Sequence, residues 1–149
     1  MVGAFDGAED VDDDEGVEVL NYLEKLPYFQ HLTEYELIQV GQLAEVREFD
    51  EGEYIGTTGE AFDDLAIVLE GELRVERDGA TVAELLAGDY YGELGFLDQK
   101  PEPVSLKANS RIRVALLKRH PLLELLRRES NLAVKIFWNI SQVFCSKFR

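Results

Sequence analysis

The 149-residue sequence contains a single cysteine, Cys145, so no disulfide can close within the chain. That scarcity fits a reducing compartment, and a cytoplasmic protein is expected. Histidine is almost as rare, with only His31 and His120. A metal centre inside a β-barrel needs a cluster of histidines with a carboxylate, and two residues outside the expected strands cannot supply one. No metal ligand set is therefore expected. Cys145 lies in the last helical stretch among apolar neighbours, as a buried or interface thiol with no partner to activate it. No Ser–His–Asp arrangement is present either, so the chain is not expected to be an enzyme.

Basic residues are missing where acidic ones crowd. Residues 1–18 carry eight Asp and Glu and no Lys or Arg, which leaves 22 acidic and 15 basic side chains for the rest. The whole chain has a formal net charge of −15. A body of this sign repels nucleic acid and anionic lipid, so neither is an expected partner. The opening "MVGAFDGAED" has neither the basic segment nor the apolar run of a signal peptide. No stretch approaches a membrane-spanning length. Residues 1–16 read as a disordered acidic tail, either solubilising or a docking tail for a basic partner. Residues 17–149 read as one domain, with 46% apolar residues over the whole chain to build its core.

Within that domain the hydrophobic period changes twice. Val17, Leu20, Tyr22, Leu23 and Leu26 recur near a helical period that Pro27 stops. "LTEYEL" offers Thr33 as an N-cap with Glu36 three residues on, a capping box that opens a second helix through about Leu43. Six short strands are predicted next, over 44–49, 65–71, 72–77, 81–86, 104–108 and 112–117, punctuated by Gly and Asp. "ELRVERDGATVAEL" is the clearest hairpin, turning at Asp78-Gly79. The helical period returns after Leu117, with Pro121 in a first turn. The final stretch carries Leu132, Ile136, Phe137 or Trp138, Ile140, Val143, Phe144 and Phe148. That apolar face is wider than core packing needs. A homodimer through Phe137, Ile140 and Phe144 is expected, against the alternative that all of them pack in the core.

These features resemble the cyclic nucleotide-binding domain family, the module of the catabolite activator protein and of protein kinase A regulatory subunits. The resemblance runs from Leu26 to Arg149. "LPYFQHLTEYEL" is similar to the family's leading helix. "FDEGEYIGTTGEAFDDLAIVLEGELRV" is similar to its glycine-punctuated strands, with Gly52, Gly59 and Gly71 in register. "LLAGDYYGELGFL" with "PEPVSLKA" resembles its phosphate-binding cassette, and "LLKRHPLLELLRRESNLAVKIF" its closing helices. The resemblance implies a mainly β fold, an antiparallel β-roll or jelly roll flanked by helices, in a regulatory or signalling role. It implies a small ligand, a cyclic nucleotide or another, rather than a resident cofactor. The family often couples this module to an output domain; here either the output lies on a protein partner or the chain is a fragment of a longer protein.

By the same resemblance the cassette comprises Gly92, Glu93, Leu94, Gly95, Lys100, Glu102, Pro103, Val104 and Ser105. The family's glutamate takes the ribose 2′-hydroxyl, and Glu93 matches it. Its arginine pairs with the cyclic phosphate, and the N–H that follows donates to the same group. Here Pro101 matches the family's proline, but Glu102 stands at the arginine and Pro103 at the donating amide. Losing a charge-assisted bond to phosphate removes roughly 1.5–3 kcal/mol. A carboxylate near a phosphate adds roughly 3 kcal/mol of repulsion at an effective dielectric near 20. Proline has no N–H to give. The combined loss is on the order of 5 kcal/mol, more than three decades of affinity. Impaired cAMP and cGMP binding is expected, leaving a dimeric interaction module or a sensor of a non-standard ligand. The alternative is a genuine receptor in which Lys100 holds the phosphate in an atypical way.

Overall fold

The computed structural model of the chain describes residues 14–56, 64–92 and 104–148. Two compact units divide it, one helical and one made of Glu45–Arg119. The helical unit draws on both ends of the sequence. It contains α1 (Asp14–Leu23), a single 3-10 turn (Pro27–Phe29), α2 (Glu34–Gly41), nearly all of α3 (Arg119–Arg128), and α4 (Ser130–Ser146). The other unit holds eight strands among the described residues. They are β1 (Ala44–Phe49), β2 (Tyr54–Ile55), β3 (Leu65–Glu70), β4 (Leu73–Arg77), β5 (Ala80–Leu85), β6 (Tyr90–Tyr91), β7 (Ser105–Ala108) and β8 (Ile112–Leu117).

Six of these strands match the expected ones; β2 and β6, of two residues each, went unpredicted. The strands form two four-stranded sheets, ordered β1-β8-β3-β6 and β2-β7-β4-β5. The expected mainly β roll with flanking helices is the fold observed. Its core is apolar, built from Ile55, Val68, Leu73, Val75, Leu106, Val114 and their neighbours, with Phe49, Leu85 and Tyr91 packed at its margin. Strand β3 is buried on both faces along Leu65–Leu69, which is why its sequence is an unbroken apolar run. The β4–β5 hairpin turns through Asp78 (φ +52) and Gly79 (φ +79), the two left-handed residues that a tight two-residue loop requires. Val82 is the extra residue of a bulge in this ladder, between the pairs Glu76↔Thr81 and Val75↔Ala83.

The helical unit departs from expectation in three places. Helix α1 begins at Asp14, so the stretch expected to be tail through residue 16 ends earlier; Gly16 is already buried. Asp14 and Glu15 sit in the first turn, where carboxylates complement the positive end of the helix dipole. Residues 1–13 lie outside the described residues. On α4, Ile140 is buried within the chain beside Leu132, Ile136 and Asn139, and so leaves the set expected at a dimer contact; Phe137 and Phe144 are exposed. Asn139 belongs to the core because its side-chain amide donates to the carbonyls of Tyr28 (2.9 Å) and Gln30 (2.8 Å), satisfying the 3-10 turn. Cys145 is exposed, not buried. The capping box of α2 is present as expected. The Glu36 N–H donates to Thr33 Oγ1 (3.1 Å), and the Thr33 N–H donates to Glu36 Oε1 (2.9 Å).

Candidate ligand site

The expected cassette spans residues 92–105, and the structure describes its two ends. Gly92 follows β6, which pairs with β3 in the register Ala66↔Tyr91 and Ile67↔Tyr90. The loop before β6 is fixed by Asp89, whose carboxylate accepts the Leu86 N–H (2.9 Å) and whose carbonyl accepts the Val68 N–H (2.9 Å). This register brings Gly92 against the residue that precedes β3. Its φ is +115°, and a Cβ there would lie 2.1 Å from the carbonyl oxygen of Asp64. Only glycine fits, because both the dihedral and the close backbone approach exclude a side chain.

Asp64 links this point to two others. Its carboxylate accepts the N–H of Arg119, the first residue of α3 (3.0 Å), and pairs with Lys118 (3.4 Å). Read from sequence, Asp64 is one of two adjacent loop charges. Its role as a cap depends on a residue 55 positions away, so no local signal announces it.

Glu93, Leu94, Gly95, Lys100, Glu102 and Pro103 lie outside the described residues. The chain is described again from Val104, which is buried in the roll core. Along β7 the core-facing residues are Leu106 and Ala108, while Ser105 and Lys107 alternate with them. Ser105 lies opposite Glu76 on β4. Of the nine expected cassette residues, Gly92, Val104 and Ser105 are thus placed. Val104 serves as core, and Ser105 stands on the opposite face of its strand.

That opposite face is polar and has its own bonding. The Tyr54 hydroxyl donates to Glu76 Oε1 (3.2 Å), and Lys107 Nζ stands 5.6 Å from the centre of the Tyr54 ring. Burial and the neighbouring Glu76 carboxylate raise the Tyr54 phenol above its ordinary range. Arg74 on β4 and Arg113 on β8 likewise alternate with core residues. None of these three cations, Arg74, Lys107 or Arg113, shares a position with the inward row. Among the described residues, no three or more His, Cys, Asp and Glu gather as metal ligands, and no helix is long and apolar enough to cross a membrane.

Residues 46–129 match the family described as cyclic nucleotide-binding domain. The chain is 32% identical over 113 residues to a cAMP-dependent protein kinase regulatory subunit of Emericella nidulans, an alignment covering 74% of this chain and 27% of that protein. It spans about a quarter of the length of the curated relatives it matches. Among solved structures it is similar to a cyclic nucleotide-binding domain from Methylobacillus flagellatus KT, at 25% identity and a TM-score of 0.75, covering 100% of this chain and 82% of that one. The regulatory domain of Toxoplasma gondii PKA, solved with cAMP, shares the fold at 22% identity and a TM-score of 0.67, covering 94% and 52%.

Proposed function

Because the chain belongs to the cyclic nucleotide-binding domain family, we propose that it is a regulatory module whose cassette no longer takes cAMP or cGMP in the ordinary way. Its signal then passes through contact with another protein chain, or through a ligand of different chemistry. The observation that carries this reading is the sequence Pro101-Glu102-Pro103 in a frame that keeps Gly92. The positive-φ glycine and its close approach to Asp64 support an inherited cradle. The carboxylate and the second proline take away a cation and a donor at the cassette's far end. Arg74, Lys107 and Arg113 stand on the wrong parity to replace the missing one from the core side, and Arg77 is exposed at the end of β4. A ligand with a neutral or cationic group facing Glu102 fits this chemistry better than a phosphodiester.

Titration calorimetry tests the reading. Wild-type protein is expected to give no heat with cAMP or cGMP at tens of micromolar. The double variant Glu102→Arg with Pro103→Ala is expected to bind one of them, since it restores about 5 kcal/mol of lost contacts and removed repulsion. Tight binding by the wild type would overturn the proposal in favour of a true receptor, with Lys100 the first cation to replace. Binding by neither protein would mean that the cassette has diverged at more than these two positions.

A further inference from the structure

The joint between α3 and α4 holds two cations without a counter-ion. The chain carries 30 acidic and 15 basic residues, so a surface base has carboxylates in excess to pair with. Arg47, Arg111, Arg113, Lys118 and Lys135 each do so. Arg127 and Arg128, both exposed in the last turn of α3, pair with no carboxylate among the described residues. Glu129 follows them at φ −115° and ψ 85°, which ends one helix before the next begins. Ser130 then opens α4 and is exposed. From Arg127 to Asn131 no residue is buried, whereas Leu126 and Leu132 on either side are.

Ser130 also differs from the other serine and threonine hydroxyls of the described residues. Those of Thr33, Ser110, Ser141 and Ser146 are held in hydrogen bonds to the backbone. Thr81 follows Asp78-Gly79-Ala80, and Ser105 follows Glu102-Pro103-Val104, with no base in either triplet. Ser130 has arginines two and three residues before it. We propose that Ser130 is a phosphoacceptor for a protein kinase that selects serine by arginines on its N-terminal side. Kinases tell substrates apart by such charge patterns, and a guanidinium pairs with an acidic cleft by bidentate, charge-assisted bonds. In the transfer, Ser130 Oγ bonds to the γ-phosphorus of ATP and the bond from that phosphorus to the β–γ bridging oxygen breaks. ADP leaves, and the hydroxyl proton passes to the base of the kinase. Access costs little: opening residues 127–131 breaks helix-end bonds such as Glu129 N–H to Leu125 O (2.9 Å) and uncovers no core side chain.

The product has groups to meet it. A phosphoserine carries roughly −2 charge and three acceptor oxygens. Helix α4 starts with no side-chain cap and no acidic residue in its first turn, so its leading N–H groups have no side-chain acceptor. The phosphate complements those groups, and Arg127 and Arg128 offset its repulsion from the negative end of α3. The modification therefore tightens the joint instead of melting it. It gives the regulatory module a second input that uses no cassette residue, so a nucleotide titration and a phosphorylation assay can fail independently.

Incubation of the full chain with ATP and an arginine-directed serine kinase, followed by mass spectrometry of the digested protein, tests the proposal. Wild type is expected to take up one phosphoryl group, at Ser130, and Ser130→Ala none. Arg127→Gln with Arg128→Gln is expected to be modified at least about tenfold more slowly, because each guanidinium supplies a charge-assisted contact to the kinase. All three side chains are exposed, so the circular dichroism spectra of both variants are expected to match wild type. In the singly phosphorylated chain, amide exchange at Asn131 and Leu132 is expected to slow by about threefold or more. No incorporation, incorporation chiefly at another residue, or an unchanged rate in the double-arginine variant overturns the assignment of the site. Faster exchange at the start of α4 after phosphorylation overturns the tightened joint.

Discussion

At Gly92 a missing side chain lets two pieces of backbone approach. An alanine there would meet the Asp64 carbonyl at 2.1 Å while holding a φ of +115°. The strained dihedral and the forced displacement together cost about 3 kcal/mol. Because Asp64 also caps Arg119, displacing it disturbs that bond as well. Gly92→Ala is expected to lower the urea midpoint accordingly and to speed amide exchange at Arg119. Unchanged exchange there would show that the Asp64 cap is independent of Gly92. The glycine itself was legible, because it stands at a strand end in a recognisable cassette. The reason for it was not, since its contact is with a residue that sequence alone presents as a loop charge. Ile140 shows the same gap from the other side. The breadth of an apolar face tells that two surfaces exist, but only packing tells which residues the chain covers by itself.

Among the elements, those dictated by near neighbours were readable. The Thr33–Glu36 capping box and the Asp78-Gly79 turn need only residues two or three apart, and both are observed. Strands β2 and β6 were not readable, because two residues carry no alternation and are defined only by pairing with β7 and β3. The capping box also has a feature that no sequence pattern supplies, the ion pair of Glu36 on α2 with Lys135 on α4 at 2.6 Å. Burial pushes the Glu36 carboxyl up, but the bonds from Lys135 and Thr33 outweigh it and hold it below its ordinary 4.5. A folded-state value below the unfolded one gives stability that is full above the ordinary carboxylate range and is lost as pH falls through the folded value. Glu36→Gln keeps the cap acceptor and removes only the charge. The variant is expected to be less stable than wild type at pH 7, with the difference shrinking as pH drops below about 4.5. Parallel acid-unfolding curves for the two proteins would rule out this ion pair as a contributor.

For the molecule as a whole, the uneven distribution of charge sets the last expectation. The chain carries −15 in all, and residues 1–13 contribute five acids with no base. We propose that they are dispensable for folding, because they bring charge and few large apolar residues. The structure moves the boundary of that proposal. Val19 and Leu23 of α1 are fully buried, and the helix that carries them starts at Asp14. A chain beginning at Asp14 is therefore expected to melt within a few degrees of the full chain, and to do so more nearly alike in high salt, where acidic self-repulsion is screened. A chain beginning at Val17 loses Asp14 and Glu15 from the first turn, together with the buried Gly16. It is expected to melt measurably lower, by an amount near that of a lost helix start, about 1 kcal/mol. Comparing the two truncations by thermal unfolding separates the readings. A large loss on removing residues 1–13 alone would mean that the acidic stretch is part of the folded body. No loss on removing 14–16 would mean that α1 is held by its packing and needs nothing from its first turn.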